Sequence, residues 1–201
     1  MGEWTPIPGE TPIDDLSGLK DKSIATRAQL GEAEARNILS ATLKYLAAPP
    51  TEQMALFDLS WVKKLHAEMF RDVWDWGGKI RRTQTNIGVP PHTIEADLTN
   101  LLADLAAWKD SGMPLIEQAV RLHHRAVYIH PFPNGNGRWS RMLADIWLLQ
   151  HGGKPVGWPV DINGESPIRE TYLQALRQAD NHDLDPLLAL YHQLSSGIGD
   201  E

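Results

Sequence analysis

Apolar residues recur along most of this chain at intervals of three and four, the spacing that gives an α-helix one buried face. Over Glu32–Ala47 the stripe is Ile38, Leu39, Leu43 and Leu46, and Pro49-Pro50 stops it. A second helix, capped by Asp58 or Ser60, carries Trp61, Val62, Leu65, Met69, Val73 and Trp76 and closes at Gly77-Gly78. Leu98, Leu101, Leu102, Leu105 and Trp108 align from Glu95 to Trp108. A fourth helix starts at Pro114, a residue suited to a first turn, and passes through Leu115, Ala119, Leu122, Ala126 and Ile129 to His130. A fifth spans about Asn136 to Gln150 before Gly152-Gly153, and two more lie near Pro167–Ala179 and Pro186–Leu194. The pattern breaks at residues 79–94, KIRRTQTNIGVPPHTI, where β-branched residues flank a Gly-Val-Pro-Pro turn and predict a short hairpin or an extended loop. The fold class is all-α, a helical bundle with one small β-like excursion.

Residues 1–22 hold Pro6, Pro8 and Pro12 among scattered acids, so residues 1–31 read as an irregular N-terminal arm and 32–201 as a single domain. A chain of 201 residues suits one domain and buries about 70% of its unfolded surface without a staple. The acidic, proline-rich start lacks a basic n-region and an apolar core, and no apolar run approaches the roughly 20 residues that span a bilayer. No membrane association and a cytoplasmic location are expected. There is no cysteine, which excludes a thiol nucleophile and any thiolate metal site. Lys+Arg 19 against Asp+Glu 26 leaves a net charge of −7, which disfavours a nucleic-acid partner.

One segment stands apart from the helical pattern: His130-Pro131-Phe132-Pro133-Asn134-Gly135-Asn136-Gly137-Arg138-Trp139-Ser140-Arg141. A histidine ends one helix and a glycine-rich turn opens the next. Asn-Gly-Asn-Gly permits positive φ, so successive N–H groups can form an anion nest where a helix N-terminus already favours phosphate. Arg138 and Arg141, three apart, project from one edge of the new helix, and guanidinium forks suit phosphate oxygens. A titratable base beside a polyphosphate cradle is the layout of phosphoryl or nucleotidyl transfer.

HPFPNGNGRWSR resembles the signature of the Fic family, His-x-Phe-x-Asp/Glu-Gly-Asn-Gly/Lys-Arg-x-x-Arg. At about 5% per residue type, seven matching positions arise by chance roughly once in 10⁹ starting points. The likeness extends over about residues 58–195. Leu65-His66 to Arg81-Arg82 resembles the family's helix and Gly-x-x-Arg lead-in, and Asn86-Ile87-Gly88 through Ile94 resembles the flap beside its target groove. Within the family the chain is most similar to the subgroup called mobile mystery protein B, often encoded on mobile elements beside a small helix-turn-helix protein.

The resemblance implies a Fic-type helical bundle with a short β-hairpin flap, and an enzyme that transfers AMP from ATP to a Ser, Thr or Tyr hydroxyl of a protein. His130 would be the general base, mostly neutral at an ordinary imidazole pKa of about 6.5. Phe132 would anchor the loop, Gly135, Asn136 and Gly137 would supply the anion hole, and Arg138 and Arg141 would hold the β- and γ-phosphates. Asn86, Ile87 and Gly88 would belong to the target-binding flap. Asn134 departs from the family's Asp or Glu, so the expected Mg²⁺ or Mn²⁺ would meet an amide oxygen without negative charge. The family's inhibitory pattern, Ser/Thr-x-x-x-Glu-Gly/Asn, is missing: Glu32 and Glu34 follow Ala28 and Leu30 at four residues' distance, which leaves inhibition to a separate partner.

Other readings weigh differently at each residue. His130 alone would read as a helix C-cap. Arg138 or Arg141 could pair with Asp145 on the helix surface. His123 and His130 lie two helical turns apart, about 10 Å in rise, too far to share one ion, so His123 and His124 read as core or supporting residues. His66 reads as a satisfied helix histidine, His92 as flap surface and Arg81-Arg82 as solvated surface or target contact. At the level of function the alternatives are kinase-like or other-nucleotide transfer, a non-catalytic nucleotide-binding or toxin-partner module, and a DNA-associated accessory protein.

Overall fold

The computed structural model describes residues 16–196. Seven helices follow in order: α1 (Arg27–Leu46), α2 (Leu59–Phe70), α3 (Ile94–Asp110), α4 (Leu115–Ile129), α5 (Asn136–Gln150), α6 (Pro167–Asp180) and α7 (Asp185–Ser196), with a 3₁₀ turn at Val160–Asn163 before α6. No strand ladder forms among the described residues, and the all-α class holds. The 79–94 excursion is the extended-loop alternative, not the hairpin. Its backbone bonds go to Ile129 at the end of α4, to Pro131, and to local turns and side chains, which leaves no ladder for two strands to share.

Helices α4 and α5 form the central pair, with α1, α2, α3, α6 and α7 packed around them. Trp139, Leu143, Ala144 and Ile146 on α5 and Leu122, Ala126 and Ile129 on α4 are almost wholly buried. The pairing places the C-terminus of α4 and the N-terminus of α5 on either side of one short loop, residues 130–135. Asp58 caps α2 by accepting the Trp61 N–H at 2.6 Å. That helix stops at Phe70 rather than near Trp76. Residues 71–78 leave it in turns that pair Trp74 with Leu19 and send the Gly78 N–H to His66, so Val73 and Trp74 are buried without being helical.

Helix α1 begins at Arg27, inside the stretch assigned to the arm, where Thr26 and Gln29 make a capping box. Its buried face is also not the expected stripe. Leu39 and Leu43 are 55% and 62% exposed, while Leu30, Glu34, Asn37, Ala41 and Tyr45 face inward. Polar bonds dock this helix: Asn37 donates to the Glu68 carbonyl and accepts the Asp72 N–H. Of the expected arm, residues 1–15 lie outside the described residues. Residues 16–20 lie along the turn after α2, where Lys20 donates to Val73 O and Asp75 to Gly18 O.

Candidate active site

His130 is the C-cap of α4 and stands in the left-handed region, φ 52 and ψ 60, with its N–H bonded to Ala126 O at 3.2 Å. An L-residue there costs about 1–2 kcal/mol, so the surroundings must hold it. The C-cap reading thus holds for His130. It is almost buried. That burial lowers its pKa to about 4, with the Arg81 cation acting in the same direction and a Val127 backbone hydrogen bond opposing both. The ordinary value of 6.5 therefore does not apply; the ring is neutral throughout the physiological range.

Phe132 is fully buried, stacked on His66 at 3.6 Å and edge-on to Trp139. Asn136 brackets the loop: its Oδ1 accepts the Phe132 N–H and its Nδ2 donates to the Phe132 carbonyl, both at 2.9 Å. Its side chain is therefore committed to the loop, and only its backbone N–H can face an anion. Gly135 caps α5 at φ 78, and a Cβ there would lie 2.5 Å from the Phe70 ring. The Gly135 N–H is taken by the Asn134 side-chain oxygen at 2.6 Å. The first α-helical bond of α5 runs from Trp139 N to Gly135 O, so the first-turn donors that suit an anion belong to Asn136, Gly137 and Arg138.

The two arginines have different surroundings. Arg138 donates from Nη1 to Glu34 on α1 at 2.6 Å and lies over the Phe70 ring. Arg141 is 6% exposed, sits over the rings of Trp158 and Tyr172, and donates to Asn163 Oδ1 at 2.5 Å. Neither forms the surface pair with Asp145, which instead accepts the Val156 N–H and is pushed up to about 7 by burial. Of the flap residues, Asn86 and Ile87 are exposed at the tip, while Gly88 lies at φ +100 against His130 and Arg81. Arg81, read as solvated surface, is buried; Arg82 and His92 are exposed.

Residues 56–148, from the lead-in to α2 through nearly all of α5, match the Fic/DOC family. The chain carries a Fic/DOC family domain. It is 33% identical over 115 residues to protein adenylyltransferase fic-1 of Caenorhabditis briggsae, covering 55% of this chain and 22% of that protein. It is 31% identical over 157 residues to protein adenylyltransferase Fic of Culex quinquefasciatus, covering 75% and 30%. The chain thus spans less than a third of the length of these curated relatives. Among solved structures, the BepC effector protein of Bartonella tribocorum with bound AMPPNP superposes with a TM-score of 0.65 at 21% identity, covering 89% of this chain and 92% of that one. This likeness establishes the Fic helical fold.

Two histidines outside the motif hold different parts of it, one the loop and the other the surroundings of Arg141. His66, fully buried on α2, accepts the Gly78 N–H at Nδ1 (2.9 Å) and so donates from Nε2 to the Asn134 carbonyl (3.0 Å). Accepting at Nδ1 requires a neutral ring, and burial lowers its pKa to about 3 against the opposing effect of the Asn134 bond. His123 lies between the Tyr191 and Tyr172 hydroxyls, is pushed well below the usual histidine range by burial, and supports the cage around Arg141. Glu34, which lacks the inhibitory pattern, accepts hydrogen bonds from both Trp74 Nε1 and Arg138 Nη1. The signal for it was the spacing Leu30, Glu34, Asn37, Ala41, Tyr45, one face of a helix.

A protein-held Mg²⁺ does not fit these residues. Asn134 offers a neutral oxygen that already accepts the Gly135 N–H, and no group of three His, Asp or Glu side chains converges among the described residues. No helix among them is long and apolar enough to cross a membrane.

Proposed function

We propose that this Fic domain is a protein adenylyltransferase that uses ATP to modify a Ser, Thr or Tyr hydroxyl of another protein. The observation that supports the reading best is the loop itself: a neutral His130 held in a left-handed C-cap, six residues before a helix whose first-turn donors and Arg141 suit phosphate. The target oxygen attacks the α-phosphorus. An O–P bond forms, the bond to the bridging oxygen of the β-phosphate breaks, and pyrophosphate leaves. His130 accepts the hydroxyl proton. The N–H groups of Asn136, Gly137 and Arg138 stabilise the developing charge. Arg141 is the principal phosphate cation, because Glu34 neutralises part of the Arg138 charge. Gly135 shapes the turn, Phe132 anchors it, and Asn86, Ile87 and Gly88 form the flap that meets the target. Any Mg²⁺ or Mn²⁺ accompanies the triphosphate and is not held by this chain.

A second reading has its own observation. Asn134 folded onto Gly135 N–H weakens metal-assisted turnover and favours a nucleotide-binding module that modifies nothing. Membership of the mobile mystery protein B subgroup, a cytoplasmic setting and a separate inhibitor or helix-turn-helix partner complete the proposal. ATP labelled at α or at γ, incubated with the protein and a cell lysate, separates the readings. Protein-bound α label supports AMP transfer, γ label a kinase, and ATP binding without label the module.

A further inference from the structure

Arg81 lies outside the catalytic motif, and it is 3% exposed. Its guanidinium donates to four main-chain carbonyls: Nε to His130 at 2.7 Å, Nη1 to Thr83 at 2.9 Å, and Nη2 to Val89 at 2.5 Å and Ile129 at 3.5 Å. Its own N–H donates to Pro131 O at 3.0 Å. Among the described residues it has no carboxylate partner, and burial lowers the pKa of its guanidinium. A buried cation without an anion needs compensation. Here the last carbonyls of α4, the negative end of that helix, supply it.

The acceptors fall into two groups. Ile129, His130 and Pro131 are the end of α4 and the start of the catalytic loop, whereas Thr83 and Val89 are the two roots of the flap. A planar fork with five donors can join them; a lysine ammonium, a single point of charge, cannot. Val89 N adds a second tie to Ile129 O at 3.3 Å. Gly88 leaves no room between the flap and the base: a Cβ there would fall 2.6 Å from His130 Cβ and 2.7 Å from Arg81 Nη2.

We infer that Arg81 is a positioning residue that fixes the flap to the main chain of His130, so that a protein hydroxyl presented along the flap arrives in register with the base. Granted the AMP-transfer reading on which this rests, Arg81 governs transfer to protein and not the binding of ATP, which belongs to the start of α5 and to Arg141.

The test uses the full chain with Arg81→Lys and Arg81→Ala. ATP affinity is measured calorimetrically, transfer of α label to lysate protein as an initial rate, and the flap by amide hydrogen exchange over residues 83–89. Arg81→Lys is expected to keep ATP affinity within threefold, lose at least 100-fold in transfer and exchange the Val89 amide at least tenfold faster. Millimolar guanidinium ion is expected to restore part of the transfer in Arg81→Ala. Should Arg81→Ala fail to fold, Arg81→Lys carries the test. A folded Arg81→Lys with wild-type flap exchange and transfer overturns the role, and so does one in which ATP affinity falls in step with transfer. If the wild type itself transfers no label, the functional reading fails, while the exchange measurement still decides whether Arg81 holds the flap.

Discussion

Gly135 and Gly137 stand two residues apart for different physical reasons. Gly135 needs its positive φ and meets the Phe70 ring, so a side chain there strains the loop. Gly137 is helical, and a Cβ would meet only Arg141 Nη1 at 3.7 Å. Gly137→Ala is therefore expected to fold, with stability unchanged or raised by up to about 1 kcal/mol from helix propensity. The added methyl would face the guanidinium where a phosphate is proposed to sit, so ATP affinity is expected to fall at least tenfold; a calorimetric titration equal to wild type contradicts that placement. His130 makes a pH prediction. With its pKa lowered to about 4, the neutral base is present above that pH and lost below it. The acid limb of kcat/KM, which reports the free protein, is expected near pH 4 rather than 6.5, and the limb of kcat higher, because bound triphosphate favours the protonated ring. A kcat/KM limb at 6.5 would show that the ring is not buried in the working protein. The place of the motif, between the end of α4 and the start of α5, was legible because a histidine, a glycine-rich turn and two arginines follow at fixed spacing. The Asn134 bond to Gly135 was not, since a side-chain amide turns inward or outward by loop geometry that composition does not encode.

Helix α1 shows where periodicity misleads. Its leucines at positions 39 and 43 marked a stripe, but the helix docks through Glu34 and Asn37, whose partners on α2, on the turn after it and on α5 are distant in sequence. Helix existence was readable throughout; which face is buried depends on polar partners that the sequence pattern counts as solvent. Glu34→Gln keeps an acceptor for Trp74 and removes the charge opposite Arg138. With Arg138 partly exposed, a loss of about 1–2 kcal/mol in urea unfolding is expected, together with tighter ATP binding as the guanidinium gains net charge. Unchanged stability and affinity would show that the pair does not link α1 to α5. The end of α2 was misplaced for a related reason: Val73 and Trp74 are apolar because they are buried, not because they continue the helix. The turn is held instead by contacts distant in sequence: His66 reaches both Gly78 and Asn134, and Asn37 accepts the Asp72 N–H.

Across the whole molecule the net charge of −7 described the surface and missed the start of α5, which carries Arg138 and Arg141 beside a helix N-terminus. The interior titrates differently from the surface. His66, His123 and His130 are all lowered by burial, so unfolding takes up protons as pH falls below about 6.5, and stability is lost towards pH 4. Asp145, raised to about 7, acts oppositely, losing stability as pH rises from about 4 to 7. Three groups outweigh one. Stability is expected to fall by about 2 kcal/mol per pH unit near pH 5, read as a declining urea midpoint; a midpoint flat from pH 6.5 to 5 contradicts the burial of these histidines. The central claim is that His130 removes a proton from a protein hydroxyl attacking the α-phosphorus of ATP. Its most direct measurement compares wild type and His130→Ala for transfer of α-labelled AMP to protein, with ATP affinity measured alongside. Label in the wild type, its loss in His130→Ala and ATP affinity within threefold are expected; label that survives the substitution, or that comes only from the γ position, contradicts the claim.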